Sequence, residues 1–408
     1  MKILFVHQNF PGQFRHLASA LGMGGHEVRS LAIKGTALHG AEVCNYPVSR
    51  GSTPNIHPWA GDFETKLIRG EACAAAAARM QAEGYCPDLI VGHPGWGEML
   101  FLKEIWPKVP HLHFLEFYYS PDGADVGFDP EFRLSDWHNL ARVRAKNANG
   151  LLNLELMDAA YSPTQWQRSS YPALYQPRVD VIHDGIDTDT LAPASAQVAN
   201  VGPDKLTLKT GMEIVTFVNR NLEPYRGYHV FMRALPRLQA LRPNALFLLV
   251  GGDGVSYGAA APKGTSWKNI FLEEVKDRID MSRVLFLGNL PYSTFTGILR
   301  LSAAHVYLTY PFVLSWSMLE AMSLGALIVG SRTPPVEEVI EHERNGVLVD
   351  FFDVDGLADR VAHVLANPQH YQGMREAARQ TVIDRYDLRR HCLPQQIALV
   401  ERVAGMKA

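Results

Sequence analysis

The chain has 408 residues, of which 47% are hydrophobic and 20% charged, and its net charge is −3. This composition is typical of a globular protein with a full core, and the near-neutral charge gives no sign of nucleic-acid binding. Four scattered cysteines without C-x-x-C spacing argue against a disulfide scaffold and a zinc site, and they favour a reducing cytosol. No apolar run reaches the roughly 18 residues that span a bilayer, so we expect a cytoplasmic protein.

The N-terminal part of the chain begins as a strand, a helix and a second strand. The continuous apolar run Ile3–Val6 predicts a buried parallel strand, and a helical pattern follows through Leu17 and Leu21. The next strand begins at Glu27. Gly12 lies in the loop after the first strand, where a glycine either lets the backbone approach a ligand or simply makes the turn.

Polar and aromatic residues follow two later strands of this half. His93 comes directly after one predicted strand, and the loop after the strand at 111–114 contains Glu116, Tyr118 and Tyr119. Ligands of open α/β sheets bind at the carboxyl ends of the strands, which makes these residues candidates for a binding site. Aromatic rings beside a carboxylate suit a sugar, whereas the alternative for the rings is packing on the core.

Residues 193–205 lack clear periodicity and are rich in small and polar residues, which predicts a linker. After it the strand–helix alternation restarts with strands at 214–218, 246–250 and 284–287. Such alternation predicts parallel sheets covered by helices on both faces. We therefore expect an α/β protein with two doubly wound, Rossmann-like domains facing a cleft, at residues 1–200 and 201–385.

Arg220 and Arg226 lie in one loop that precedes a predicted helix. A guanidinium group is always charged, and its planar fork fits two phosphate oxygens. The alternative is that both arginines are merely solvated. Together with a helix N-terminus, however, the pair would hold a diphosphate and stabilise the charge that develops on a leaving phosphate.

The segment 307–322 predicts a strand, a loop and a helix with Ser315 or Ser317 as its cap. The free N–H groups at the start of such a helix favour an anion such as a diphosphate. Glu320 follows one turn inside the helix, where its carboxylate is suited to accept hydrogen bonds from sugar hydroxyls. The spacing Ser317-x-x-Glu320 also fits a capping box, in which the glutamate is only structural.

In this order, the motifs resemble glycosyltransferase family 4, whose members are retaining enzymes of the GT-B architecture. The loop at 219–227 is similar to the family's G-R-L-x-x-x-K-G, with Arg226 where lysine is usual. The resemblance covers nearly the whole chain and rests on Phe10–Gly12, Gly25–Val28, Val181–Asp189, Asn219–Gly227 and the segment that ends at Glu320.

The resemblance implies transfer of a sugar from a nucleotide-diphosphate sugar, as co-substrate, to a carbohydrate, lipid-linked or small-molecule acceptor, with no metal or further cofactor and no nucleic-acid partner. It also implies that residues 386–408 end in a helix that crosses back to the first domain. The implied catalytic residues are Glu116, Arg220 and Arg226, and the acceptor side would be lined by His93, Tyr118 and Tyr119. The implied donor-binding residues are Gly12, Arg220, Arg226, Gly288, Leu290, Ser315, Trp316, Ser317 and Glu320.

Two positions depart from the family pattern. Phe312 stands where the family has the first glutamate of its E-x7-E motif, and Glu116 stands where it has a histidine. The first departure bears on the donor sugar and on activity itself, so a non-catalytic sugar-nucleotide-binding module and another GT-B enzyme, such as a sugar-nucleotide epimerase, remain alternatives. Basic residues within 131–149 leave open a peripheral contact with the inner face of a membrane, and the sequence does not give the oligomeric state.

Overall fold

The computed structural model describes residues 1–133, 136–194, 198–202 and 206–406. The strands are β1 (Lys2–Val6), β2 (Glu27–Ala32), β3 (Glu42–Asn45), β4 (Leu89–Gly92), β5 (His111–Phe114), β6 (Ala159–Ser162), β7 (Val179–Val181), β8 (Val198–Val201), β9 (Leu206–Lys209), β10 (Ile214–Asn221), β11 (Leu246–Gly252), β12 (Val284–Gly288), β13 (Ala304–Tyr307), β14 (Ile328–Ser331) and β15 (Val347–Val349).

The helices are α1 (Arg15–Met23), α2 (Gly61–Ala82), α3 (Leu102–Ile105), α4 (Trp137–Lys146), α5 (Ala148–Leu156), α6 (Gln165–Ser169), α7 (Tyr228–Leu241), α8 (Trp267–Val275), α9 (Tyr292–Leu301), α10 (Trp316–Ser323), α11 (Pro334–Glu337), α12 (Val354–Ala366), α13 (Gln372–Tyr386) and α14 (Leu393–Ala404). The chain divides into two compact units, Met1–Gly185 with Leu388–Ala408, and Ile186–Asp387.

The first unit is built on a parallel sheet with the strand order β3-β2-β1-β4-β5-β6-β7. The central strand β1 is buried on both faces, which explains why Ile3–Val6 reads as a continuous apolar run. One face of the sheet packs against α1 and α14, and the other packs against α2 and α3.

Helix α14 belongs to the first unit although it comes last in the chain. Its Leu399, Val400 and Val403 are almost fully buried in the same hydrophobic cluster as Ile3 and Phe5 of β1. The apolar face of this helix is therefore part of the core of the N-terminal sheet.

The second unit contains a parallel sheet with the strand order β12-β11-β10-β13-β14-β15. Strands β10 and β13 are central and buried, and α10 and α13 pack together over a large apolar cluster on the sheet. Two parallel, helix-covered sheets confirm the prediction of two doubly wound, Rossmann-like α/β domains.

The segment predicted as a linker, 193–205, differs in part from that expectation. Its residues 195–197 and 203–205 lie outside the described part of the chain, but 198–201 form β8, which pairs antiparallel with β9. Val201 of β8 and Leu208 of β9 are buried in a hydrophobic cluster of the second unit that also contains Leu301 of α9. The described strands of this hairpin therefore belong to the packed second unit.

The boundary between the two units falls at Gly185–Ile186, before the predicted linker. Ile186 forms a bridge to Asp387, and its backbone N–H donates to the carbonyl of Tyr386 at 2.8 Å. The start of the second unit is thus tied to its end. Within the described residues, no helix is both long and apolar enough to cross a membrane.

Candidate functional site

Arg226 lies just after β10, in a short 3-10 turn that ends at Gly227. Gly227 has φ +69°, and a Cβ there would lie 2.3 Å from Cβ of Leu308, so only glycine lets the turn approach the end of β13 this closely. Arg226 is consequently only 4% exposed. Its Nη1 donates to Thr309 Oγ1 at 2.7 Å, to the Val313 carbonyl at 3.0 Å and to the Tyr307 hydroxyl at 3.4 Å.

The surroundings of Arg226 are neutral. Its guanidinium carbon lies 5.0 Å from the ring centre of Tyr257 and 5.6 Å from that of Phe312. In the described part of the chain, no carboxylate oxygen comes within 4.0 Å of this guanidinium group. A buried charge that has only neutral partners is costly, and an anionic ligand would offset that cost.

Arg220 has a different environment from Arg226. It is exposed near the end of β10, and among the described residues its side chain makes no hydrogen bond or ion pair. Arg226 is therefore buried among hydrogen-bond acceptors, whereas the Arg220 side chain is exposed to solvent. That both arginines hold one diphosphate, as expected from the sequence, stays a prediction.

The start of α10 is connected to Arg226 through one hydroxyl group. Ser315 is the N-cap residue, and its Oγ accepts from the Ser317 backbone N–H at 3.3 Å. The Ser315 N–H donates at 2.8 Å to the Tyr307 hydroxyl, which also accepts from Arg226. Burial raises the pKa of Tyr307 above its usual value, so this hydroxyl stays protonated. Trp316, the first residue of the helix, is 43% exposed.

Glu320 has no capping role, so the capping-box interpretation of Ser317-x-x-Glu320 is wrong. Because Ser315 is the cap, Glu320 lies about one and a half turns into α10. Its Oε1 accepts at 2.7 Å from the hydroxyl of Tyr292 on α9. Burial raises the pKa of Glu320, and the Tyr292 hydrogen bond opposes that change. The carboxylate is thus nearly buried and set to accept from hydroxyl groups.

Gly288 and Leu290, the residues expected beside the nucleotide base, lie at the end of β12 and just beyond it. Gly288 has φ +61°, and no atom lies within 4 Å of the position a Cβ would take. Leu290 is partly buried against the apolar clusters of the second unit. The space beside Gly288 is therefore open on the side where a side chain would project.

The first unit has a polar cluster of its own at the carboxyl ends of three adjacent strands. His7 follows β1, His93 follows β4, and Glu116 lies two residues beyond β5. His93 Nε2 lies 3.4 Å from one Glu116 oxygen, and Gln13 Nε2 donates to the other at 3.3 Å. His7 Nε2 pairs with Gln13 Oε1 at 2.9 Å. The four side chains form one connected network.

Backbone contacts set the tautomers in this network. The N–H of Asn9 donates to His7 Nδ1 and that of Gly95 to His93 Nδ1, both at 3.0 Å. Each ring, when neutral, therefore carries its proton on Nε2, which points into the network. Burial, reinforced by His93, lowers the pKa of His7 to about 4, so this ring is neutral at physiological pH.

The carboxyl group of Glu116 is ionised in this setting. Burial alone would raise its pKa, but the contact with His93 and the hydrogen bond from Gln13 lower it below its usual value. The Trp96 ring stacks on His93 with centroids 4.0 Å apart. The Glu116 side chain is partly exposed, so its carboxylate is a suitable receptor for hydroxyl groups.

Gly12 packs directly against this network. It has φ +48°, and a Cβ would lie 2.4 Å from Cε1 of the His7 ring. A side chain at this position would displace His7, so glycine is needed for the turn and for the packing of His7. The structure gives Gly12 this role, and its approach to a donor stays a prediction.

The two tyrosines predicted for the acceptor side contact other parts of the first unit. Tyr118 packs on a small apolar cluster, with its ring centre 5.6 Å from that of Tyr171. The Nζ of Lys146 lies 3.5 Å from the ring centre of Tyr119. Tyr118 thus follows the core-packing alternative. Sequence reasoning missed two members of the network, His7 and Gln13, and also the Trp96 ring that stacks on His93, although each lies in the segment that follows a strand.

Comparison with known families defines the class of protein. The model for the glycosyl transferase family 4 group matches residues 24–191, and the model for glycosyl transferases group 1 matches residues 202–381. Together the two matches extend over both of the parallel sheets except for β1. The chain belongs to these glycosyl transferase families, which confirms the resemblance found in the sequence.

Individual relatives are distant but cover nearly the whole chain. Glycogen synthase from Mycobacterium tuberculosis is 24% identical over 95% of this chain and 91% of its own length. The structure is similar to sucrose-phosphate synthase from Thermosynechococcus elongatus, with a TM-score of 0.71 and 17% identity over 98% of both chains. Anabaena HepE in complex with UDP-glucose has a TM-score of 0.65 and 16% identity over 98% of this chain and 99% of its own. These similarities show a GT-B fold.

Proposed function

We propose that this protein is a retaining glycosyltransferase that moves a sugar from a nucleotide-diphosphate sugar to a hydroxyl-bearing acceptor. The second unit would bind the donor, and the first unit would bind the acceptor. The observation that carries the proposal is Arg226, a guanidinium group that is 4% exposed and has only neutral partners among the described residues. The Anabaena relative with bound UDP-glucose supports a donor of this class.

Donor binding would use four features of the second unit. Arg226 and the N-terminus of α10 would hold the diphosphate, since a guanidinium group and the positive end of a helix dipole both favour negative charge. Glu320, nearly buried in α10, would accept from the ribose hydroxyls. Arg220 would add a second, exposed guanidinium group. As the bond to the sugar breaks, these cationic groups would stabilise the charge that develops on the leaving diphosphate.

On the acceptor side, Glu116 would bind the attacking hydroxyl group. Its low pKa keeps it ionised, so it would orient the acceptor and stabilise positive charge that develops on the transferred sugar. His93 and Gln13 contact its two oxygens, which fixes the direction of the carboxylate. The neutral His7 completes this support through Gln13.

A panel of UDP-, GDP- and ADP-sugars tests the proposal. A donor that binds the native state should raise the melting temperature, and the same donor should then be hydrolysed slowly or transferred. NMR of the product anomer would report retention. If no nucleotide sugar binds, or if the product has the inverted configuration, the proposed function is wrong.

The second candidate is a module that binds a sugar nucleotide without turning it over. Phe312 favours this candidate, because it is 5% exposed and packs its ring against Tyr225 and Tyr257 where the family has a glutamate. This candidate predicts tight nucleotide binding, no hydrolysis of any donor and no transfer. Epimerised donor in the absence of an acceptor would instead identify another GT-B activity.

A further inference from the structure

The loop after β11, residues 254–258, is held by two side chains from the end of β10 and the turn that follows it. Glu223 is 1% exposed, and its carboxylate accepts from the backbone N–H groups of Ser256, Tyr257 and Gly258 at 3.2 to 3.4 Å. Asn221 Oδ1 accepts from the Gly254 N–H at 3.0 Å, and its Nδ2 donates to Ser256 Oγ at 2.7 Å. Two loops of the second unit are therefore bound together at their tips.

Among the described residues, the Glu223 carboxylate forms its hydrogen bonds with this loop and not with Arg226, three residues later in the chain. Its charge is compensated by three successive backbone N–H groups, an arrangement that binds anions in many proteins. Where the structure describes the chain, Glu223 and Arg226 form no ion pair within 4.0 Å. A role for Glu223 as the direct counter-ion of Arg226 does not agree with this geometry.

The consequence of this anchoring is the position of Tyr257. The ring of Tyr257 lies 5.0 Å from the guanidinium carbon of Arg226 and 5.1 Å from the ring centre of Phe312. Gly258, the next residue, allows the loop to pack closely against Tyr225, because a Cβ at this glycine would lie 3.0 Å from Cδ2 of the Tyr225 ring. Glu223 holds the backbone N–H groups of Tyr257 and of its two neighbours in sequence, and this keeps the Tyr257 ring against Arg226.

We propose that Glu223 is a positioning residue for anion binding, and that it acts on Arg226 through Tyr257. The inference rests on the proposed function, in which Arg226 binds the donor diphosphate. The Tyr257 ring limits the water and the rotamers available to the guanidinium group, and a cation held against a ring away from water is bound more strongly. Loss of the Glu223 carboxylate would release the loop and with it this ring.

A double-mutant cycle on the full chain tests the inference, with UDP and inorganic pyrophosphate as titrants in calorimetry. Glu223→Ala and Tyr257→Leu should each weaken pyrophosphate binding about tenfold, which is within the range of a desolvated cation–ring contact. If Glu223 acts through Tyr257, the double variant should bind within about twofold of Tyr257→Leu. The control Asp253→Asn removes another carboxylate of this region, which pairs with Lys268 at 3.3 Å, and should bind like the wild type.

Three results would overturn the inference. Glu223→Ala could bind like the wild type, it could weaken binding by the same factor with and without Tyr257, or Asp253→Asn could weaken binding as much. Glu223→Gln keeps one acceptor oxygen and should fold with intermediate affinity, so it replaces the alanine variant if that variant does not fold. If the wild type binds neither titrant, the proposed function fails as well, whereas binding that depends on Arg226 but not on Glu223 refutes only this inference.

Discussion

Replacement of Arg226 by methionine separates the charge of this residue from its packing. Arg226→Met keeps an apolar stem between Tyr257 and Phe312, and it removes the charge and the three hydrogen bonds from Nη1. A hydrogen bond to a charged group contributes about 1.5 to 3 kcal/mol. Loss of one such contact to a diphosphate should therefore weaken binding of UDP by about 10- to 150-fold.

The stability of the same variant should change much less. The lost hydrogen bonds destabilise the fold, but removal of a buried charge that has no carboxylate partner among the described residues offsets much of that loss. We expect a change within about 2 kcal/mol in the free energy of unfolding, or a few degrees in melting temperature.

Calorimetric titration of UDP into Arg226→Met and into the wild type at one ionic strength checks this prediction. Arg237→Met is the matched control, because Arg237 lies on α7 of the same unit and pairs at the surface with Asp359, at 2.7 Å. UDP affinity within about threefold of the wild type in Arg226→Met, or an equal loss in the control, would refute the assignment of Arg226 as the diphosphate ligand.

Further predictions concern three other charged or titratable residues. Arg220→Ala should lower turnover strongly without changing the melting temperature, since the side chain is exposed; a wild-type rate in steady-state kinetics would count against its role. Glu320→Gln should weaken UDP about tenfold but leave pyrophosphate binding unchanged in the same calorimetric assay. Burial raises the pKa of Glu320 in the folded state, so the wild type loses stability as pH rises and this carboxyl group ionises. Relative to the wild type, Glu320→Gln should therefore be more stable at about pH 7 than at about pH 4. Burial lowers the pKa of His305 to about 3, below its unfolded value of about 6.5, so its contribution to stability is present above pH 6.5 and is lost as pH falls. This loss should lower the free energy of unfolding of the wild type by about 2 kcal/mol between about pH 7 and pH 5, measured by urea unfolding. A His305→Gln variant whose free energy of unfolding falls with the same pH slope as the wild type would contradict this.

The sequence by itself determined the class of fold. Runs such as Ile3–Val6 and Ile214–Val218 are apolar throughout or nearly so because their strands are buried on both faces of a parallel sheet, so their composition reports their environment directly. The rule that ligands bind at the carboxyl ends of such strands then directed attention to His93 and Glu116. Strand β8 was missed because a short edge strand has no apolar run.

Only the tertiary structure decided which polar residues work together. Gln13 and Glu116 are separated by 103 positions, and no local pattern shows that they share a hydrogen bond. Arg220 and Arg226 are the same residue type and close in sequence, yet Arg220 is exposed near the end of β10 whereas Arg226 is buried, because Gly227 lets only the second pack against the end of β13. Side-chain burial and long-range contacts depend on how distant segments fold together, and a local sequence pattern carries no record of that.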